Sequence, residues 1–254
     1  MLSLNSLARR TVLFLIFSFS VAFQDHSEPL RKIPNHAFKI GEKLTFSIGW
    51  EFISAGTSVM SVENIETING RPCYHIVSTT NSNAFFSALY KVRNRLETFI
   101  DQDGLYPLKY IKNTSEGGYK RNFVVEFSHE QEKASLADAD SGNSEINVPK
   151  FVQDIISAFY FIRTQDLKIG EEIGLANFDN GKCKDVIVKI MQKERVSVTA
   201  GIFDCILVQT PIGPFNNKSV LNIWLTDNAA KIPVLMKSKI AVGSIKAELE
   251  SIEN

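Results

Sequence analysis

The stretches "TFIDQDGLYPLKYIK" (Thr98 to Lys112) and "NIWLTDNAAKIPVLMK" (Asn222 to Lys237) share one plan. In each, an apolar run reaches an Asp, and six residues later a Pro opens a second apolar run (Asp101 to Pro107, Asp227 to Pro233). Asp can accept hydrogen bonds from turn amides, and Pro is tolerated at the first residue of a strand. Both stretches therefore read as β-hairpins.

The same grammar extends in both directions. "KLTFSIGW" (Lys43 to Trp50) alternates Leu44, Phe46, Ile48 and Trp50 with Thr45, Ser47 and Gly49, the period of a strand with one buried face. Asn69-Gly70 and Asn180-Gly181 separate strand-like runs, a strong short-range hairpin signal because both residues tolerate positive φ. "NSNAFFSALY" (Asn81 to Tyr90) breaks the alternation and reads as a short helix or helical loop, and "DADSGNSEINVP" (Asp138 to Pro149) reads as a polar connection. Directly after it, Phe151, Val152, Ile155, Ile156, Phe159 and Ile162 form the one strong helical stripe.

Several elements recur at a nearly constant offset. "FKIGEKL" (Phe38 to Leu44) is echoed by "LKIGEEI" (Leu167 to Ile173) 129 residues later, and the Asp and Pro pairs are displaced by 126. An internal duplication is expected, with halves at 38–140 and 150–254. The fold class is mainly all-β: two related curved antiparallel sheets forming a barrel or half-barrel, with one central helix near 151–165.

At the N-terminus, Arg9 and Arg10 precede the apolar run Thr11 to Phe23, which contains Ser20-Val21-Ala22. A positive n-region, an apolar h-region and a small-x-small site predict a signal peptide over 1–22. The run is shorter than the roughly 20 apolar residues needed to span a bilayer. A flexible N-terminal segment (23–37) and a single β-rich domain (38–254) follow, in a periplasmic or otherwise exported protein with no transmembrane segment after signal removal. Removal of the signal leaves 28 − 2 = 26 basic against 28 acidic residues. That balance, with no Lys/Arg cluster beyond ordinary density, argues against nucleic acid as a partner and against electrostatic binding of the chain as a whole to anionic membrane. Cys73, Cys183 and Cys205 each sit in a strand-like run beside apolar residues and read first as small buried hydrophobes; if one disulfide forms, Cys183–Cys205 is the preferred pair, since the two lie in neighbouring predicted strands.

No nucleophile elbow, zinc-protease motif or phosphate loop is present, no cofactor or structural metal is implied, and His26, His36, His75 and His129 are scattered. Arg93 and Arg95 lie two apart and so on one strand face, where Glu97 can serve one of them. They form either a cross-strand ion ladder or an anion site. Arg163 ends the helical stripe, where a cation is favourable near the negative end of the dipole, and is a weaker candidate ligand contact. The chain has 18 Phe, and together with Trp50 and Trp224 they either fill a solid core or line an apolar cavity.

"GEKLTFSIGWEFISAGTSVMSV", "VRNRLETFIDQDGLYPLKYIK", "YKRNFVVEFS", "DIISAFYFIR" and "IWLTDNAAKIPVLMKSKIAVGSIKAEL" together resemble the bacterial exported proteins of domain-of-unknown-function family 3108, in order from Gly41 to Leu249. The resemblance implies a periplasmic or cell-envelope β-rich protein. Arg93, Glu97, Asp154, Ser157, Arg163, Trp224 and Pro233 fall on the family's recurring pattern, while Asn94 stands where the family often has Asp. It carries over no catalytic residue. The functional expectation is a non-enzymatic envelope protein that binds or carries a lipid-like or hydrophobic ligand, with a continuous apolar cavity of roughly 300 Å³ or more. A structural or protein-interaction module of the envelope is the alternative, and a hydrolase comes third.

Overall fold

The computed structural model describes residues 30–212, 219–239 and 243–254. The predicted signal peptide, and the 23–29 part of the segment after it, lie outside these residues. Eight strands come first: β1 (Lys43–Trp50), β2 (Ile53–Ile68), β3 (Arg71–Ser82), β4 (Val92–Asp101), β5 (Pro107–Glu116), β6 (Tyr119–Ser128), β7 (Lys133–Asp138) and β8 (Gly142–Asn147). A short helix, α1 (Ala84–Leu89), lies between β3 and β4, and α2 (Ile155–Arg163) follows β8. Six more strands complete the chain: β9 (Glu172–Asp179), β10 (Lys182–Val198), β11 (Gly201–Ile212), β12 (Ser219–Thr226), β13 (Pro233–Lys239) and β14 (Ser244–Glu253).

All fourteen strands form one antiparallel sheet in the order β8-β7-β6-β5-β4-β3-β2-β1-β14-β13-β12-β11-β10-β9. The two expected sheets are thus a single surface, joined where β1 pairs with β14. Two meanders run outward from that seam. The Asn-Gly turns behave as their chemistry demands, with Asn69 and Gly70 at φ 49° and 78° and Asn180 and Gly181 at 49° and 79°. Both central residues sit in the left-handed region that a two-residue type I′ hairpin requires.

The sheet curls until its distant parts meet. Phe123, Val125 and Phe127 of β6 share one core with Phe178 of β9, and the rings of Phe127 and Phe178 stand edge to face with centroids 5.5 Å apart. Lys112 Nζ of β5 donates to Asp179 Oδ1 and Asn180 Oδ1, each at 3.1 Å. The interior is divided by α2. Ile156 and Tyr160 pack into the core built on Phe38, Leu44, Phe46 and Ile76, while Ile162 packs with Val188, Val208, Ile223 and Leu225.

The helix begins later than its stripe suggests, because Asp154 caps it. Asp154 Oδ1 accepts from the amides of Ile156 (2.8 Å) and Ser157 (3.0 Å), and Ser157 Oγ accepts from the Asp154 amide at 2.8 Å. This reciprocal pair is a capping box with Ser in the place of the usual Glu or Gln. It leaves Phe151 and Val152 ahead of the helix, with Phe151 at φ 60°.

At the other end of α2, Arg163 is completely buried. Its guanidinium donates from both terminal nitrogens to the Glu42 carboxylate at 2.7 Å, and further to Ala37 O (3.0 Å) and Ala230 O (3.1 Å). One side chain thereby ties the helix to the start of β1 and to the β12–β13 loop. The guanidinium also lies over the rings of Tyr160 and Phe38 at 5.0 and 5.7 Å.

Four further expectations change. Residues 30–37, the described part of the predicted flexible segment, are docked: Arg31 donates to Gly104 O (2.6 Å) and Leu105 O (3.0 Å) and stacks on Phe151 at 4.3 Å, and the Ile33 amide donates to Asp103 O. Burial pulls the Arg31 pKa down to about 10. The polar connection Asp138–Pro149 contains β8, an edge strand paired to β7. All three cysteines are free, and Cys73 and Cys205 are buried as expected, but Cys183 is only half-buried, and Cys183 and Cys205, the pair preferred for a disulfide, cannot bridge. Cys205 is opposite Glu194, eleven residues along β10 from Cys183, which at about 3.4 Å per residue is over 30 Å.

The fourth change concerns the opening hairpins. Pro107 and Pro233 each begin a strand, as expected. Asp101 Oδ1 accepts from the turn amides of Asp103 (3.1 Å) and Gly104 (2.6 Å), while its other oxygen takes Arg71 Nε at 2.6 Å. In the second hairpin, however, the residue equivalent to Asp101 is Thr226. Asp101 N donates to Tyr106 O, just before Pro107, and Thr226 N donates to Ile232 O, just before Pro233. The second loop is one residue longer, its amides at Ala230 and Lys231 are accepted by Asn228, and Asp227 instead pairs with Lys193 at 2.6 Å.

His129 illustrates how burial sets charge. Its Nε2 donates to Pro107 O at 2.7 Å and its Nδ1 accepts from the Phe151 amide at 3.2 Å, so the neutral ring satisfies both partners. Desolvation lowers its pKa to about 4. The unfolded chain takes up this proton near the ordinary value of about 6.5, so the contribution is complete above that pH and fades as pH falls toward 4. The shift corresponds to about 3 kcal/mol. We expect the His129 ring resonances to titrate near pH 4; a midpoint above 6 would contradict this burial account.

Candidate functional site

The cavity of interest lies between α2 and the inner face of β9–β12. It encloses about 200 Å³, with walls formed by Ala158, Phe159, Val186, Val188, Val208 and Ile223. That is less than the roughly 300 Å³ expected, but more than the ~150 Å³ of an engineered apolar cavity that takes up benzene. The polar groups of its lining are on Asn177, Asp179, Lys184 and Thr210, all toward the end where β9 finishes and β10 begins, which forms the polar rim.

Side-chain size explains why space remains here and not on the other side of the helix. The β1–β4 half is filled by Phe46, Met60 and Ile76, with Phe38 and Tyr160 wedged between sheet and helix. Across α2, the wall strands present Val186, Val188, Val208 and Leu221, and Ala158 faces them from the helix. Short aliphatic side chains opposite an alanine do not meet. The sequence signal for this was the alternation in "KCKDVIVKI" (Lys182 to Ile190), whose inward positions include two valines and no aromatic residue.

Of the candidate ligand contacts singled out from sequence, Arg93, Arg95, Arg163, Trp50 and Trp224, none lines the cavity. Trp224 projects from the opposite face of β12, where its indole donates to Glu194 and Lys237 Nζ lies 5.6 Å above its ring. Trp50 sits at the end of β1 with its ring 6.2 Å from that of Phe86 in α1. Arg163 is consumed by Glu42 and presents no free edge to a ligand. Among the aromatic residues, Phe159 lines the space.

Arg93 and Arg95 lie together on the outer face of β4, in a polar trough with Thr79, Asn81, Ser115 and Lys120. The expected ladder is present. Arg95 Nε donates to Glu97 Oε1 at 2.8 Å, Glu97 Oε2 meets His75 Nε2 at 2.9 Å, and His75 Nδ1 faces Glu66 at 3.1 Å. These bonds hold the Glu97 carboxyl below the usual range against the opposing effect of burial. Arg93 takes a different course, donating to Ser82 O (2.9 Å) and Val92 O (2.6 Å).

Although His75 meets carboxylates, the nearest nucleophile-type side chain on its strand face is Cys73. That thiol is fully buried, and desolvation, aided by the nearby Asp101, pushes its pKa up to about 12. A thiol so held is a poor nucleophile. Burial raises Cys205 likewise, to about 11.

The chain is a β-barrel-like protein in which one curled antiparallel sheet encloses a helix beside a small apolar cavity. It belongs to the family described as protein of unknown function DUF3108, whose model matches residues 45–250. Among solved structures, it is similar to a β-barrel-like protein of the domain of unknown function DUF1849 from Brucella abortus. The two share 10% identity and a TM-score of 0.58 over 85% of this chain and 98% of that one. A "putative lipoprotein" from Parabacteroides distasonis matches with 13% identity and a TM-score of 0.38, over 87% of this chain and 99% of that one. No curated protein matches. Among the described residues, no helix is long and apolar enough to cross a membrane.

Proposed function

We propose that the protein is an exported, non-enzymatic envelope protein that binds a small hydrophobic or amphiphilic ligand, with the apolar part of the ligand in the cavity beside α2. The observation that carries this reading is the cavity itself: about 200 Å³ of space with apolar walls and a polar rim. Its volume suits one ring or a short stretch of acyl chain rather than a whole lipid, so the polar remainder would lie at the rim among Asp179, Lys184 and Thr210. Engagement of both ring nitrogens of His75 and of His129 in the bonds described above supports a role without general-base catalysis. The six strands β1–β6 and the six strands β9–β14 follow one another in the same order around their hairpins, which supports descent from a duplicated unit in which only the second half kept its space.

The test is native mass spectrometry of protein purified from its own envelope, combined with displacement of a solvatochromic apolar dye. We expect a bound amphiphile mass. Replacing Ala158 with Phe fills the cavity from the helix side and should weaken dye binding at least ten-fold, at a stability cost of about 1–3 kcal/mol. Absence of any bound mass, together with unchanged dye binding in the Ala158→Phe protein, would overturn the reading.

A second reading, a protein-interaction module, is favoured by β8. This strand lies at a free edge of the sheet, and every position in it except Ile146 is exposed. Unpaired edges are templates for strand addition. Co-purification of a protein partner that Pro substitution at Ser144 abolishes, with no bound amphiphile, would favour it.

A further inference from the structure

We infer that one end of the sheet is a membrane-docking surface that engages a bilayer bearing anionic headgroups. The strand register brings three chain reversals to that end: the β1–β2 tip, the α1 segment between β3 and β4, and the β5–β6 turn. Each carries large apolar side chains into solvent. Phe52 at the β1–β2 tip is 101% exposed, and on α1 Phe85 and Leu89 are 65% and 75% exposed. Tyr90 and Tyr119 continue the strip, and the Tyr90 ring lies against Gly117 in the β5–β6 turn. These side chains are held outward by local structure. Asn83 caps α1 through the Phe86 amide and donates to Ser54 O at 2.7 Å, locking the helix to the β2 side of the tip.

Charge identifies the occupant. Lys91 and Lys120 flank Tyr90 and Tyr119, and among the described residues neither has an ion pair. Arg93 is opposite Ser115, which is in turn opposite Lys120, so both cations lie on one face within two strand spacings. Of the acids beside these tips, Glu116 accepts from Asn94 at 2.6 Å and Glu51 leans on Gly243, while Asp179, farther along the same end, pairs with Lys112 at 3.1 Å. The full sequence has a formal net charge of zero, so the attraction is local rather than a property of the whole chain. Protruding aromatic and leucine side chains backed by cations suit the boundary between headgroups and acyl chains, which deforms around separate tips. A protein partner would need a matching set of pockets.

The polar rim of the cavity lies at the same end of the sheet. Asp179 ends β9, Lys184 stands near the start of β10, and Pro211 near the end of β11, all at the end to which Trp50 points by register. Docking would therefore bring the cavity rim toward the bilayer. The docking inference stands without that consequence, since it rests on the tips alone.

The test is co-sedimentation of the exported protein with vesicles of phosphatidylcholine containing phosphatidylglycerol, against phosphatidylcholine alone. We expect binding to the anionic vesicles, weakened by salt, with a blue shift of Trp50 fluorescence and its quenching by brominated acyl chains. Combined Phe52→Ser, Phe85→Ser and Leu89→Ser should reduce affinity at least ten-fold. Combined Lys91→Gln and Lys120→Gln should reduce it roughly five-fold per cation on the anionic vesicles, with no change on the neutral ones. The cavity-filling Ala158→Phe protein should still bind, which separates failure of docking from failure of the ligand reading. Absence of sedimentation with either vesicle, or equal binding by the apolar triple variant, overturns the inference; in the first case a protein partner takes this surface instead. Circular dichroism of each variant checks that the fold is intact.

Discussion

Replacing Arg163 with Met is expected to lower the unfolding free energy by about 3–5 kcal/mol, because it leaves the Glu42 carboxylate buried without its counter-charge. Both side chains are almost wholly removed from water, and the two terminal nitrogens of the guanidinium each reach one carboxylate oxygen at 2.7 Å. The loss would also orphan the carbonyls of Ala37 and Ala230. Removing both charges at once gives a different result. A Glu42→Leu, Arg163→Met double variant should recover more than half of the single-variant loss, since replacing a buried pair with apolar groups of similar volume is often neutral. Guanidinium denaturation of the two single variants and the double variant measures the coupling. A single-variant cost below 1 kcal/mol would show that the pair does not anchor α2.

The second large effect is at the other end of the same helix. Asp154→Ala should cost about 2–4 kcal/mol, combining the loss of an N-cap with the stranding of a buried hydroxyl. The carboxylate accepts from two helix amides and from Thr98 Oγ1 at 2.6 Å, and all of these groups are buried. Asp154→Asn keeps the cap oxygen and should cost less than half as much. It should also change the pH dependence. Burial holds the Asp154 pKa above the usual carboxylate range, so its contribution is complete below the unfolded value and diminishes as pH rises toward the folded one. His129 acts in the opposite sense across its own window, which ends near 6.5. In the Asn variant the Asp154 contribution is gone, and stability should rise more steeply between pH 4 and 6.5. An unchanged slope, measured by urea denaturation across that range, would count against the buried carboxylate as a titrating group.

Both predictions concern α2, and the helix shows how far local sequence reaches. Its existence was legible from the stripe Ile155, Ile156, Phe159 and Ile162, and its start was present in Asp154-Ile155-Ile156-Ser157 for a reading that weighed the cap. The role of its last residue was not legible. Arg163 near a helix C-terminus satisfies a local rule, yet its partner Glu42 is 121 residues away and meets it only because β1 sits at the centre of the sheet. The family pattern included Arg163 without saying whether it faced a ligand or a buried carboxylate.

The same division runs through the rest of the molecule. Period-two alternation and the turn chemistry at Asn69-Gly70 and Asn180-Gly181 specified strands, hairpins and a mainly β fold, because these signals are carried by residues adjacent in the chain. The Arg95–Glu97 contact was likewise readable from a spacing of two on one strand face. The repeat of Asp and Pro at six residues was less reliable, since one inserted residue in the second loop kept the spacing while transferring the turn contacts to Asn228 and Thr226. Only tertiary structure decided that β1 pairs with β14, that the sheet curls until β6 meets β9, and that space remains beside Ala158 rather than beside Phe46. Those outcomes depend on strand order, curvature and the summed volumes of side chains from distant strands, none of which is carried by neighbouring residues.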